Sequence, residues 1–269
     1  MCTTGVLRLG PADYLLFKNK DFGRSHFDDR LVVEREVFGI QGITTWAGDD
    51  PETDQFSGFS IGANRYGLLC CDSNVRTVPD HENYDRLVEV ALRNGTDVPS
   101  AIDAVTRAVA DQPYLWANLV MIDSNLTAAI EVRGSDIETS FGTERRSRSN
   151  HHLSLGPSPD DDDQITTVAR YESARRRVDD VVTLDDVLAL QASHDSGPTG
   201  ICNHLGYHTV YTYVERWHEG TVTLYVRQGQ PCEAGEPMVL DLPLGSAWSA
   251  EAEDAFRDAY PSAKSLAIA

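Results

Sequence analysis

The residue with the clearest chemical potential is the second one. Cys2 follows Met1, and its side chain is small enough for an aminopeptidase to remove the methionine, leaving a thiol and a free α-amine on one residue. An α-amine titrates at about 7.7–8.0 and a free thiol at about 8.5, so a modestly electropositive setting supplies both thiolate and proton acceptor at neutral pH. The competing reading is an ordinary second residue in a frayed terminus. Of the other cysteines (Cys70, Cys71, Cys202 and Cys232), the adjacent pair lies in an apolar run that would place one thiol on each face of a strand, where inert buried thiols are expected. His194, Cys202, His204 and His208 are ligand types suited to zinc. They form no Cys-x-x-Cys pair and no His-Glu-x-x-His helix, so the expectation is no metal, and no cofactor either. The sequence has no Walker loop, Gly-rich dinucleotide turn or Gly-x-Ser-x-Gly elbow, which removes the enzyme classes built on them.

The elements that must position these residues follow from the hydrophobic pattern. Short β-branched or aromatic runs at Val6–Leu9, Tyr14–Phe17, Leu31–Val37 and Gly67–Cys71 read as strands, punctuated by Gly10-Pro11 and by the polar stretch from Gly48 to Gln55. Helices are expected at Asn83–Arg93 and, led in by Pro99, at Ser100–Ala110. Strands return at Ala117–Ile122 and Thr127–Val132, joined through Asp123-Ser124-Asn125 as a hairpin. Residues 157–163 read as a surface loop rather than a linker, because the later strands need partners from before it. Helices recur at Thr166–Val181 and, capped by Thr183 or Asp185, through Leu190. A last strand series runs through His208–Arg216, Thr221–Arg227 and Met238–Leu242. This order predicts one α+β domain over 2–269, a four-layer αββα sandwich of two antiparallel sheets between helical layers.

Composition bounds the partners. The 269 residues carry 23 basic and 42 acidic side chains, a net charge of −19, which argues against nucleic acid and anionic membranes because both need a positive footprint. Aspartate outnumbers glutamate 27 to 15 and only three lysines occur. That bias resembles a salt-adapted surface, with an acidic protein from a GC-rich genome as the alternative. No run of 18 apolar residues exists, and the amino terminus lacks the pattern of a signal peptide. The expectation is a cytoplasmic protein with free thiols and a small-molecule partner, its oligomeric state open and a homo-oligomer included.

Met-Cys-Thr, two strands joined by a turn, and Lys18-Asn19-Lys20-Asp21-Phe22 together resemble the amino terminus of the choloylglycine hydrolase and penicillin V acylase family of N-terminal-nucleophile (Ntn) hydrolases. The distances from Cys2 to Lys18 and to Asp21 match that family's spacing from its cysteine to an arginine and an aspartate, with lysine in place of arginine. A point-charge ammonium does not replace a planar fork at a bidentate site, so the departure matters. An antiparallel hairpin brings such residues to one sheet end, where Asp21 would orient the α-amine and Lys18 would favour the thiolate.

The resemblance extends more loosely to the related acyltransferase branch typified by acyl-coenzyme A:6-aminopenicillanate acyltransferase. Gly62 to Leu68 followed by Asp72-Ser73-Asn74 is similar to a segment that delivers an asparagine near the nucleophile, making Asn74 the candidate oxyanion donor. Ser149-Asn150-His151 is similar to a strand end that carries Asn150 over as a residue holding the amine or the tetrahedral intermediate, with His151 and His152 expected at the mouth of the site. Arg170 is carried over as the second cation, while Arg175-Arg176-Arg177 reads as a solvated helix face. Gly200-Ile201-Cys202-Asn203-His204 and Gly229-Gln230-Pro231-Cys232 continue the likeness toward residue 240. What it implies is a cysteine amidohydrolase acting on the linear amide of an N-acyl amine or N-acyl amino acid. Acyl transfer with the same machinery and a non-catalytic ligand-binding member of the fold are the alternatives.

Overall fold

The structure, a computed structural model, describes residues 1–23, 28–43, 55–76, 81–156, 164–195, 197 and 200–261. Most of the polar stretch from residue 48 and the expected loop 157–163 fall outside them. Thirteen strands among the described residues form two antiparallel sheets. The first sheet has six strands in the order β10 (Arg146–Arg148), β1 (Cys2–Gly10), β2 (Asp13–Phe22), β11 (His208–His218), β12 (Thr221–Gln228) and β13 (Met238–Asp241). The second runs in sequence order from β3 (Leu31–Val33) through β4 (Val37–Ile43), β5 (Phe56–Asn64), β6 (Leu69–Asn74), β7 (Tyr114–Ile122) and β8 (Thr127–Gly134) to β9 (Asp136–Gly142). β11 pairs directly with β2, so strands on either side of 157–163 share a sheet.

Period-two alternation explains why β1 and β2 are apolar on both faces. Val6, Tyr14 and Leu16 point into the core between the sheets with Ile61, Cys71, Val120 and Tyr213. Their neighbours Leu7, Leu15 and Phe17 point the other way, onto Ala174 and Val178 of α3 (Ala169–Asp180) and Val187 and Leu190 of α4 (Leu184–Gln191). The outer face of the second sheet packs on α1 (Asp85–Asn94) and α2 (Val98–Asp111) through Leu87, Val88, Ala91, Ala101 and Val105. Helices, sheet, sheet, helices is the αββα sandwich expected from the element order. α5 (Ala250–Ala259) docks edge-on, with the Phe256 ring 5.5 Å from Phe38.

The local signals work as sequence chemistry dictates. Asp97 and Ser100 form a reciprocal capping box at α2, and Thr183 with Asp186 does the same at α4, which settles the cap on Thr183. Cys70 and Cys71 divide between the two core layers as alternation requires, and burial pushes both thiols well above their ordinary range. The expected strand Leu31–Val37 is two strands, β3 and β4, because Glu34-Arg35-Glu36 turns the chain back on itself.

Candidate active site

Cys2 opens β1 and is 8% exposed, so it is a built part of the sheet rather than a frayed end. In the β1–β2 ladder it lies opposite Lys20, while Lys18 lies opposite Thr4 on the same face. Met1 extends the ladder by one residue: its α-amine donates to Asp21 O at 2.8 Å and its carbonyl accepts from Asp21 N at 2.7 Å. Burial lowers the pKa of that amine, with Arg170 and Lys18 acting in the same direction against Cys2 and Asp21.

Lys18 does not run toward Cys2 alone. Its ammonium, fully buried, donates to Ser60 O at 2.9 Å, Ser60 Oγ at 2.6 Å and Asp72 Oδ1 at 3.2 Å across the space between the sheets. Burial alone would lower its pKa; the Asp72 carboxylate and, to a lesser degree, Cys2 raise it above the ordinary lysine value, so it stays charged. Behind Asp72 lies Asp85, the first residue of α1. Burial first, and then the negative charge of Asp72, push the Asp85 carboxyl well upward. Asp72 Oδ2 has no hydrogen-bond donor among the described residues, and Asp85, if protonated, would supply one. Glycine makes this approach possible: a Cβ at Gly42 would meet the Asp85 carboxylate at 1.9 Å. Gly58, at φ +55°, lies where a Cβ would be 2.2 Å from the Asp85 backbone.

Asp21 reaches the site from the opposite face of the hairpin. A bulge in β11 between Thr209 and Tyr211 re-aims Thr209, whose hydroxyl donates to Asp21 Oδ1 at 2.8 Å, and Asn203 Nδ2 stands 3.4 Å from Asp21 Oδ2. Burial raises the Asp21 pKa, opposed by Arg170 3.7 Å away and by the amino terminus. Arg170, with no exposed surface, follows a π-helical turn (Gln164–Val168) into α3 and spreads its guanidinium over the nucleophile's backbone. Nη1 donates to Cys2 O at 2.8 Å and Thr3 Oγ1 at 3.1 Å, and Nη2 donates to Asn150 Oδ1 at 2.8 Å.

That same Asn150 oxygen accepts the Cys2 backbone N–H at 2.9 Å. Asn150 Nδ2 donates in turn to Asn74 O at 2.7 Å and to Asn74 Oδ1 at 2.9 Å. With Oδ1 engaged, Nδ2 of Asn74 has no hydrogen-bond partner among the described residues and is the donor end available to the cavity that Asn74 lines. That cavity, of about 490 Å³, is lined by Met1, Cys2, Lys20, Asp21, Asn74 and Asn150, with Phe22, Ile43, Tyr84 and Tyr207 supplying apolar wall and Arg76 a second cation at its edge.

The other five residues singled out from sequence, Lys18, Asp21, Asn74, Asn150 and Arg170, therefore gather around Cys2. His151 and His152 do not join them as expected. His151 is buried against Thr167 Oγ1 and the Tyr171 ring, and His152 against Ala117 O and Trp116, because the chain turns inward at Ser149 to satisfy backbone groups. Burial lowers both imidazole pKa values, that of His151 to about 4. Arg175, Arg176 and Arg177 are exposed, in ion pairs with Glu172 and Asp195. Sequence reading missed Lys20, Ser60, Asp72, Asp85, Asn203 and Thr209. Asp72 stood two residues from Asn74 in the same motif, Lys20 beside Asp21, and Asn203 within the quoted Gly200–His204 segment. The others reach the site only through inter-sheet, helix–sheet or loop packing. Among the described residues the cavity holds no cluster of metal-ligating groups; the one such cluster lies in the α4–β11 and β12–β13 connections.

No family model and no curated sequence matches the chain. Among solved structures, penicillin V acylase from Agrobacterium tumefaciens superposes with a TM-score of 0.53 at 14% identity, covering 89% of this chain and 85% of that one. A variant of conjugated bile acid hydrolase from Clostridium perfringens superposes with a TM-score of 0.55 at 13% identity, covering 90% and 92%. The likeness is one of fold: this chain shares the αββα architecture of both, and its Cys2 opens its own first strand.

Proposed function

We propose that this protein is a cysteine Ntn amidohydrolase that cleaves the linear amide of an N-acyl amino acid or N-acyl amine through an acyl-Cys2 intermediate. One observation carries the reading: the Cys2 nitrogen is held by Asn150 Oδ1 at 2.9 Å, beside the buried Asp21–Arg170 pair, in a cavity of about 490 Å³. Cys2 is anchored independently of Met1, through its ladder with β2 and the Arg170 bond to its carbonyl. Removal of Met1 converts an amide nitrogen, which cannot accept a proton, into an amine that can, with its acceptor already in place.

The chemistry then follows from the groups present. The α-amine takes the thiol proton and the thiolate attacks the amide carbonyl, forming a C–S bond while the carbonyl electrons move onto oxygen, which Asn74 Nδ2 receives. The ammonium passes its proton to the leaving nitrogen as the C–N bond breaks, and water, deprotonated by the same amine, releases the acid from the thioester. Lys18 and Arg170 supply the positive field that favours thiolate and oxyanion. Phe22, Ile43, Tyr84 and Tyr207 suit an apolar acyl group; Lys20, which also lines the cavity, is paired with Asp29 at 3.2 Å.

The test is amine release from a panel pairing each acyl group with a neutral and a carboxylate-bearing amine. The expected result is amine release from at least one member of the panel that is absent in Cys2→Ala. No release from any member, or release undiminished in Cys2→Ala, would overturn the assignment.

A further inference from the structure

Away from the cavity, three loop segments bring His194, Cys202, His204 and Cys232 together, with their ligand atoms all within 4.8 Å of one another. His194 Nε2 lies 3.1 Å from His204 Nε2, which is 3.4 Å from Cys202 Sγ and 3.2 Å from Cys232 Sγ; the two sulfurs are 3.5 Å apart. Tetrahedral zinc, with Zn–N about 2.0–2.1 Å and Zn–S about 2.3 Å, spaces its ligand atoms about 3.3–3.8 Å apart. These four separations are within a few tenths of an ångström of that, and the remaining two, from His194 to the sulfurs, are within 4.8 Å. We propose that these four residues are a structural zinc site.

The fold supplies what the sequence lacked. The expected grouping contained one cysteine and three histidines; the structure leaves out His208, which enters β11, and brings in Cys232 from the β12–β13 connection. The set becomes Cys₂His₂, with two thiolates to balance the charge of a divalent ion. Both histidines present Nε2 to the same point, so rings carrying their proton on Nδ1 direct two lone pairs at one another unless a cation stands between them. His194 and Cys232 are exposed, which gives the ion a way in. On binding, the two thiol protons leave for solvent and no electron is transferred. Four protein ligands fill the coordination sphere and leave no place for a reacting water, so the role is to brace.

What it braces is connected to Cys2 by position. Cys202 and His204 flank Asn203, whose amide stands 3.4 Å from Asp21 and whose backbone N–H donates to Thr209 Oγ1, itself bonded to Asp21. Tyr207, in the same loop, lines the cavity. The ion would tie this loop to the end of α4 through His194 and to the β12–β13 connection through Cys232.

The test needs no substrate, so it stands or falls separately from the amidase reading. The full chain, purified without chelator, is assayed for zinc by plasma mass spectrometry and for free thiols by alkylation under denaturing conditions. The expected result is about one zinc per chain with all five cysteines reduced. Exchange for cobalt should give intense visible bands and near-ultraviolet thiolate-to-metal charge transfer. Stripping with a chelator should lower the melting temperature of the unmutated protein, with recovery on adding zinc alone, while Cys232→Ser and His204→Asn should lose the metal. A folded protein that takes up no zinc, and whose melting temperature ignores it, would overturn the proposal. So would a native Cys202–Cys232 disulfide, or full zinc retention in both variants.

Discussion

Asp72→Asn tests the charge network beneath the nucleophile. At 3.2 Å and an effective dielectric of about 20, the Lys18–Asp72 attraction is worth about 5 kcal/mol. Asparagine keeps the shape of the side chain and removes its charge, which leaves the buried ammonium with neutral acceptors only, the oxygens of Ser60 and the amide oxygen at position 72. Breaking a buried pair in this way ordinarily costs about 3–5 kcal/mol. Here a reserve exists, because the charge of Asp72 is one of the causes that raise the Asp85 pKa. Once Asp72 is neutral, Asp85 ionises more readily and takes over part of the neutralisation. The expected loss is therefore about 1–2 kcal/mol for Asp72→Asn alone and about 3–5 kcal/mol for Asp72→Asn with Asp85→Asn, with Lys18→Met in that double background restoring much of it. Urea unfolding at neutral pH measures all four proteins, reading the midpoint at constant slope. Single and double variants of equal stability, or both within about 0.5 kcal/mol of the parent, would refute the network as described.

Glu215 is fully buried with neither carboxylate oxygen partnered among the described residues, and burial drives its pKa well upward. A raised folded-state pKa gives stability that is complete below the unfolded value of about 4.3 and is lost as pH rises toward the folded one, so Glu215→Gln should stabilise the protein by up to about 3 kcal/mol near pH 7, a gain that vanishes near pH 4. A constant difference across that window in thermal or urea melts would contradict the protonated carboxyl. Burial, with Arg170 and Lys18, lowers the pKa of the Met1 amine, and the Cys2 amine freed by removal of Met1 would share the Arg170 side of that setting through Asn150. The acidic limb of kcat/KM is therefore expected below the ordinary α-amine range of about 7.7–8.0, and a limb at or above pH 8 would count against the amine as base. The charge of −19 should make the melting temperature rise between low and molar KCl, where the Debye length shrinks to about 3 Å; a flat or falling value would remove the salt-adapted reading.

Much of the first sheet was legible because its residues are constrained locally. The apolar runs on either side of Gly10-Pro11 announce a hairpin, and the hairpin announces that residues near 18 to 21 return to Cys2. The face change between Cys70 and Cys71 follows from strand geometry alone. Register was less accessible: a bulge between Arg8 and Gly10 shifts the ladder by one residue and sets Lys20, rather than Asp21, opposite Cys2, and a bulge leaves no mark in hydrophobicity. β5 was missed because FSGFSIGAN reads as loop, yet its glycines are there so that Asp85, Phe38 and Leu92 can pack against the strand. α5 was missed because only Phe256 is buried on it, too little for a periodic signal. Asp72–Asp85 and the pairing of Cys232 with the histidine loop depend on elements that meet only in the folded chain, and no spacing rule reaches them.

The central claim is that Cys2, freed of Met1, is the nucleophile. Intact mass under denaturing conditions, taken on active protein before and during turnover of a slowly deacylated N-acyl amide, tests it most directly. The account predicts a chain lighter by Met1 that gains the mass of the acyl group, with fragmentation placing the acyl group on Cys2 as a thioester. Active protein that keeps Met1, or an acyl group found on Cys70, Cys71, Cys202 or Cys232, would contradict it.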